Sequence, residues 1–464
     1  MRRIVGKMRC AVAATADRRG RGWVVLGLGA AMVLAVSGCT AGASAEAPTP
    51  ARTSSVTPVA GSAAACVPDP KQAATQKDTQ STKPMPAAVV GRYDAAVTAE
   101  FAKVKESAPS VIVGVRSPKG TWEKAYGLAD IATKTPSSTS MYHRIGSVTK
   151  TFVATAVLQL AEQGKLSLDD PVDDYVAGVP NGSHITLREL VTMTSGLGSY
   201  SADPQFASEV LSQPERQWTP QELLDQAYSM PTSFPPGTNM QYSNTNYVLL
   251  GQVIEYVTGK SWEDVVKEQI LKPLHLTSTV LPTGNIMPSP HTTGYTHMTN
   301  EIVGATPTNA WTDATDFTPS ATGAAGAMIS RLGDLLTWGH ALATGQGVLP
   351  ASAQVQRLSS FATMSGIGGT VFYGDGLMCK DGWIGHSGNI AGYNTVLLCN
   401  PSTQTTLAIE ATGDTETATP PRVYIEDELT SILAKIAGHP YLATVMPPDA
   451  AQVPGLLAPD PFSE

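Results

Sequence analysis

Ser147 and Lys150 lie three residues apart in Ser147-Val148-Thr149-Lys150, at the start of a nearly charge-free, largely apolar stretch running to Leu160. On a helix, residues three apart share a face, so the hydroxyl and the amine can meet. Burial on the same helix would tune that amine. An unperturbed lysine titrates at about 10.4, and making it a base at pH 7 costs about 4.6 kcal/mol, a shift that desolvation can supply. A lysine that stays charged would instead lower the pKa of a nearby phenol. Tyr242 offers that phenol, in Tyr242-Ser243-Asn244. The base is therefore Lys150 or Tyr242.

The chemistry in view is nucleophilic attack by Ser147. At a helix N-terminus the backbone N–H groups favour developing negative charge. Asn244 carries both an amide donor and an acceptor, suited to gripping a substrate amide. His386-Ser387-Gly388 closes a strand-like run on a small residue, so a substrate backbone can lie alongside its edge. The N–H groups of Ser147 and Asn389 then form an expected oxyanion hole, each donor contributing about 10²–10³ in rate. His386 is expected to act as a weak, pH-dependent cation beside the place where a substrate carboxylate docks.

The elements that must position these groups follow from periodicity. A helix opening at Pro86 aligns Val90, Tyr93, Val97, Phe101 and Val104. Val111–Val115 and Trp122–Tyr126 form a hairpin. A helix from Ser147 stops at Gly164, and Thr186 with Glu189, Thr219 with Glu222, and Ser261 with Asp264 mark later helix starts. Another helix runs from Arg331 towards Leu342. Strands return near Tyr373–Cys379, Trp383–Ser387, Tyr393–Cys399 and Thr405–Glu410, and a last helix aligns Ile425, Leu429, Ile432 and Ile436. Strands near both ends with helices between them predict an α/β (α+β) fold: one antiparallel five-stranded sheet flanked by helices, plus an all-helical lobe, with the cleft between them.

Ordered along the chain, the motifs resemble the serine β-lactamase and penicillin-recognising family, in the branch of class C β-lactamases, D-alanyl-D-alanine carboxypeptidases and related esterases. The resemblance covers about residues 88–437. It includes Arg144-Ile145-Gly146-Ser147-Val148-Thr149-Lys150-Thr151-Phe152 and Gly164-Lys165-Leu166-Ser167-Leu168-Asp169-Asp170-Pro171. It continues through Thr194-Ser195-Gly196-Leu197, Pro236-Gly237-Thr238 and Gly385-His386-Ser387-Gly388-Asn389. It implies acylation of Ser147, proton transfer by Lys150 and Tyr242, substrate binding by Asn244, and a cleft edge lined by His386, Ser387, Gly388 and Asn389. The chain departs from the family at His386, where class C β-lactamases carry lysine, and at Ser110 and Met193, where glycine and histidine are more usual.

The N-terminus reads as an address. Residues 1–22 hold seven of the 31 basic residues, and an uncharged run from Trp23 to Val36 ends in Val36-Ser37-Gly38-Cys39. The run is short for a membrane span. It resembles a lipoprotein signal (residues 1–39) with Cys39 lipidated, so the enzyme is expected in the cell envelope, anchored by lipid to the outer face of the cytoplasmic membrane. Residues 40–85 read as a flexible Ala/Thr/Ser/Pro-rich tether, 86–438 as the hydrolase domain and 439–464 as a Pro-rich tail. Beyond Cys39 there are 24 basic and 38 acidic residues, a net charge of −14, which excludes a phosphate-neutralising nucleic-acid surface. No Cys/His spacing points to a metal, and no cofactor is implied. Cys379 and Cys399, read as lying on neighbouring strands, are the expected disulfide, with Cys66 unpaired.

Three functions fit these residues: a D-alanyl-D-alanine carboxypeptidase-like hydrolase of cell-wall peptides, a carboxylesterase or class C-like β-lactamase, and a catalytically inactive binding lipoprotein. The expected partners are a small peptide, ester or β-lactam substrate.

Overall fold

The computed structural model describes residues 66–296, 311–363, 371–413 and 425–441. The expected signal segment with Cys39, the first part of the tether and the tail beyond Tyr441 lie outside them. In chain order come α1 (Pro70–Thr75), α2 (Ala87–Val104), β1 (Ser110–Ser117), β2 (Gly120–Asp130), β3 (Thr135–Pro136) and β4 (His143–Arg144). The helical lobe follows: α3 (Thr149–Glu162), α4 (Leu187–Val191), α5 (Pro204–Ser212), α6 (Pro220–Tyr228), α7 (Asn244–Thr258) and α8 (Trp262–Val266). Then come β5 (Tyr295–Thr296), β6 (Thr312–Asp313), β7 (Ile329–Ser330), α9 (Leu332–Thr344) and α10 (Ala351–Ser359). The chain continues with β8 (Ala362–Thr363), β9 (Phe372–Gly374), β10 (Leu377–Lys380), β11 (Trp383–Ile390), β12 (Tyr393–Asn400), β13 (Thr405–Thr412) and α11 (Ile425–Ala437).

The main sheet is antiparallel and nine-stranded, in the order β3-β2-β1-β13-β12-β11-β10-β9-β8. The expected five strands correspond to its long members β1, β2, β11, β12 and β13. Of the four short strands, β9 and β10 fall on the run read as one strand near Tyr373–Cys379, while the two-residue β3 and β8 carry too little alternation to be visible in sequence. As expected, the ends of the domain meet: β1 pairs with β13 from Val111↔Ala411 to Arg116↔Thr406. The two-residue period then sorts the core. Val111, Val113 and Val115 join Tyr93, Val97, Leu429 and Leu433 in an outer core beneath α2 and α11. Ile112, Leu397 and Ala408 face the larger inner core shared with α9 and the helical lobe.

The lobe is held by its most buried member. Eleven of the fourteen residues of α3 are buried, and Phe152 stacks on Trp338 of α9 with ring centroids 4.1 Å apart. Thr186/Glu189 and Thr219/Glu222 form reciprocal capping boxes, and Ser261 accepts the Asp264 N–H. No described helix is long and apolar enough to cross a membrane.

Two expectations fail at the N-terminal edge. Residues 66–85, read as tether, are docked on the domain. Here α1 lies against α9 and α10. Gln80 Nε2 donates to Gln404 O and Thr406 Oγ1, while Thr121 N–H donates to Lys83 O. Such backbone-directed polar contacts leave no apolar period to read. The expected Cys379–Cys399 disulfide is also wrong. Cys379 is bonded to Cys66 with Cα atoms 6.2 Å apart, and Cys399 is free and buried. In the ladder Ile384 pairs with both Cys379 and Cys399. Two strand spacings, about 9.5 Å, thus separate the cysteines, beyond disulfide reach.

Candidate active site

Ser147 sits in a single 3₁₀ turn, Gly146–Val148, that leads from β4 into α3. Gly146 has φ +49°, and a Cβ there would lie 2.7 Å from Asn389 N. A Cβ on Gly388 would lie 2.0 Å from Ile145 O and 3.0 Å from Ser147 N. Only glycine fits at either position, so the Ser147 turn and β11 meet backbone to backbone. This brings the N–H groups of Ser147 and Asn389 onto facing chains. The outer edge of β11 opens here, since β10 pairs with it only as far as Gly385 while β12 follows it to Ile390.

Lys150 is fully buried. Its Nζ lies 2.9 Å from Ser147 Oγ, 2.6 Å from Asn244 Oδ1 and 2.8 Å from Ala325 O. It also lies 4.7 Å from the ring centroid of Tyr242 and 5.7 Å from that of Tyr247. Three oxygen acceptors match the three N–H groups of an ammonium, and ring faces attract a cation. The i, i+3 contact read from sequence is present, and Ser147 is half-exposed above it.

Tyr242-Ser243-Asn244 leads into α7, where the sequence sets Asn244 as the first helical residue. Both ends of its amide are used: Oδ1 by Lys150, Nδ2 by Ser201 Oγ at 2.8 Å. Its N–H donates to Ser199 Oγ at 3.1 Å. Gly198 O accepts from Ser243 Oγ and Thr245 Oγ1. The loop Met193–Ser201 therefore holds the second motif. Of this loop, Thr194-Ser195-Gly196-Leu197 was visible in sequence, while Ser199 and Ser201 carried no signal.

His386 corrects the expectation placed on it. It is almost wholly buried, and its pKa is pushed down to about 3, first by burial and then by the nearby positive charge of Lys150. At neutral pH it carries no charge. Its Nδ1 contacts the Ser387 carbonyl, which only accepts, so Nδ1 holds the hydrogen. Its Nε2 faces Tyr373 Oη at 3.3 Å. The rings of Tyr242, Tyr373 and His386 form a cluster with centroids 5.7–6.1 Å apart. Tyr373, from β9, is a neighbour that sequence reasoning missed. Ser387 and Asn389 are half-exposed and alternate with His386 and Gly388, so their side chains point to the other face of β11, where the Asn389 amide bonds Asn394.

All three motifs thus converge: Ser147, Lys150, Tyr242 and Asn244 through Lys150 Nζ, and His386 to Asn389 along the adjoining strand. Among the described residues no cluster of His, Cys, Asp or Glu could hold a metal. The arrangement can activate a serine hydroxyl, stabilise an oxyanion and accommodate an extended chain along an open strand edge.

Comparison with known proteins agrees with this geometry. The family model described as Beta-lactamase matches residues 91–429. A D-stereospecific amidohydrolase from Streptomyces sp. superposes with TM-score 0.62 at 33% identity, covering 71% of this chain and 95% of that one. A D-amino acid amidase from Ochrobactrum anthropi SV3, complexed with D-phenylalanine, gives TM-score 0.61 at 27% identity, covering 70% and 90%. The putative penicillin-binding protein PbpX of Bacillus subtilis (strain 168) is 32% identical over 163 residues, 35% of this chain and 39% of its own. The chain spans less than half the length of the curated relatives it matches.

Proposed function

The chain belongs to the Beta-lactamase family of serine hydrolases, and on that premise we propose that it cleaves an amide bond following a D-configured residue through an acyl-enzyme on Ser147. The observation that carries this reading is the contact of buried Lys150 with Ser147 Oγ and Asn244 Oδ1 at once. Lys150 enters as an ammonium, and its field favours ionised Tyr242, over whose ring it lies. Ser147 Oγ bonds to the substrate carbonyl carbon and its proton passes to Tyr242. The carbonyl oxygen, now negative, is met by the N–H groups of Ser147 and Asn389. The C–N bond breaks, the amine leaves with the proton from Tyr242, and water hydrolyses the ester.

Neutral His386 offers no charge to a substrate carboxylate. This favours leaving groups without one, such as the ammonia of a D-amino acid amide, and the two amidohydrolases with a similar fold agree. A second reading, a D-alanyl-D-alanine carboxypeptidase, is favoured by the resemblance to PbpX. β-Lactam or ester hydrolysis would use the same residues. We further propose, from Val36-Ser37-Gly38-Cys39, that the protein is exported and lipid-anchored through Cys39.

The test is a panel of D-phenylalanine amide, L-phenylalanine amide, a D-Ala-D-Ala peptide, p-nitrophenyl acetate and a fluorescent penicillin. D-amide turnover above that of the L-form and the peptide is expected, with Ser147→Ala lower by several powers of ten. Preference for the D-Ala-D-Ala peptide moves the assignment to the second reading. Full turnover by Ser147→Ala, or an adduct at another serine, overturns the mechanism.

A further inference from the structure

Met193 combines two features that its neighbours do not explain. It is a fully buried, bulky residue at φ +62°, in the left-handed region that disfavours such side chains. Its sulfur also lies 3.4 Å from Ser243 N and 3.5 Å from Asn246 Nδ2. Both are donors, and Ser243 is the residue between Tyr242 and Asn244. The main chain repeats the connection, since the Gln241 N–H donates to Met193 O at 3.0 Å. One residue thus receives hydrogen bonds from the residue before Tyr242, the residue after it, and the first turn of α7.

We propose that Met193 is a positioning residue for the second motif, its thioether holding the Ser243 N–H so that Tyr242 and Asn244 meet Lys150. The physical requirement is an acceptor inside an apolar wall. Leucine has nearly the same volume but no lone pair, so it would leave two buried N–H groups unpaired. Sulfur is a weak acceptor but cannot be protonated there, so its hold on the motif does not vary with pH. Histidine, the residue expected here by resemblance, offers an imidazole lone pair and tolerates the left-handed conformation better than most. The inference rests on the reading of Tyr242 and Asn244 as machinery.

The experiment compares Met193→Leu and Met193→His at pH 8, with D-phenylalanine amide and p-nitrophenyl acetate as substrates and thermal melts as a check on folding. For the leucine variant kcat should fall at least 10-fold, with KM changed less than threefold. For the histidine variant kcat should stay within threefold of wild type. Wild-type kcat in Met193→Leu, or equal losses in both variants, overturns the proposal. If the leucine variant does not fold, the histidine variant decides: retained kcat supports the acceptor role and lost kcat refutes it. Tyr242→Phe is run alongside. Full activity in that variant sinks the reading of the second motif by itself, whatever the Met193 variants do.

Discussion

Lys150 Nζ lies 2.6 Å from Asn244 Oδ1, a contact between the first turn of α3 and the first turn of α7 that spans 94 residues of sequence. It links Ser147, the proposed nucleophile, to Asn244, the proposed substrate-binding residue, through one buried atom, and the site is only as well formed as the packing of these two helices. Beyond their polar first turns both helices bury mainly apolar residues, Phe152, Val153 and Val157 on α3 and Val248, Leu249 and Leu250 on α7, so core packing supports the alignment.

Asn244→Asp places a carboxylate against Lys150. An opposite charge at that distance keeps the lysine protonated and cancels its field on Tyr242. The expected result is a loss of kcat of about 10²-fold at pH 7, comparable to losing one placed dipole in acyl transfer. Steady-state kinetics on the preferred substrate read it directly, and near-wild-type kcat would show that the Lys150–Asn244 contact is not used.

Burial and Lys150 hold the His386 pKa at about 3, against about 6.5 in an unfolded chain. Between these values the unfolded chain binds a proton that the native one does not. Stability therefore rises with pH from 3 to 6.5, by about 1.4 kcal/mol per unit for each such group, and levels off above. His143, also held at about 3 by burial, adds a slope of the same sign. Asp375, pushed up to about 6 by burial, keeps its proton in the native state and opposes them between about pH 4 and 6. His386→Gln should remove one unit of slope in urea titrations at pH 4–6.5. It should leave the shape of the activity profile between pH 6 and 8 unchanged. A limb in that range that vanishes in the variant would restore His386 as a titrating cation.

Cys66→Ser or Cys379→Ser should lower stability by about 2–4 kcal/mol and expose residues 66–85 to protease. Cys399→Ser should do neither, and native Cys399, buried with its thiol pKa pushed up to about 12, should resist alkylation. A loss of stability confined to the Cys379 and Cys399 variants would instead reinstate the bridge expected from sequence.

Cys39→Ala should release the protein from membranes into the soluble fraction, because stable anchoring needs more than one acyl chain and each proposed chain depends on processing at that cysteine. Fractionation with mass spectrometry of the N-terminus checks it. Unmodified wild-type protein found wholly in the soluble fraction counts against the anchor.

The local part of the proposed site was legible in the amino-acid order because it depends on short spacings. Ser147 and Lys150 meet because one helical turn brings them together, and the capping boxes at Thr186 and Thr219 are equally local. The long strands and the closing pair β1 and β13 were also visible, since eight residues of alternation make a recognisable pattern. What tertiary structure alone decided is whatever depends on which chain lies beside which. His386 is neutral because it is buried beside Lys150, and Cys379 finds Cys66 because β11 separates it from Cys399. Ser201 and Met193 serve Asn244 and Ser243 across more than 40 residues. A residue's type sets what it can donate, accept or titrate. Its neighbours and its exposure to water decide which of these it does, and those are properties of the packed chain.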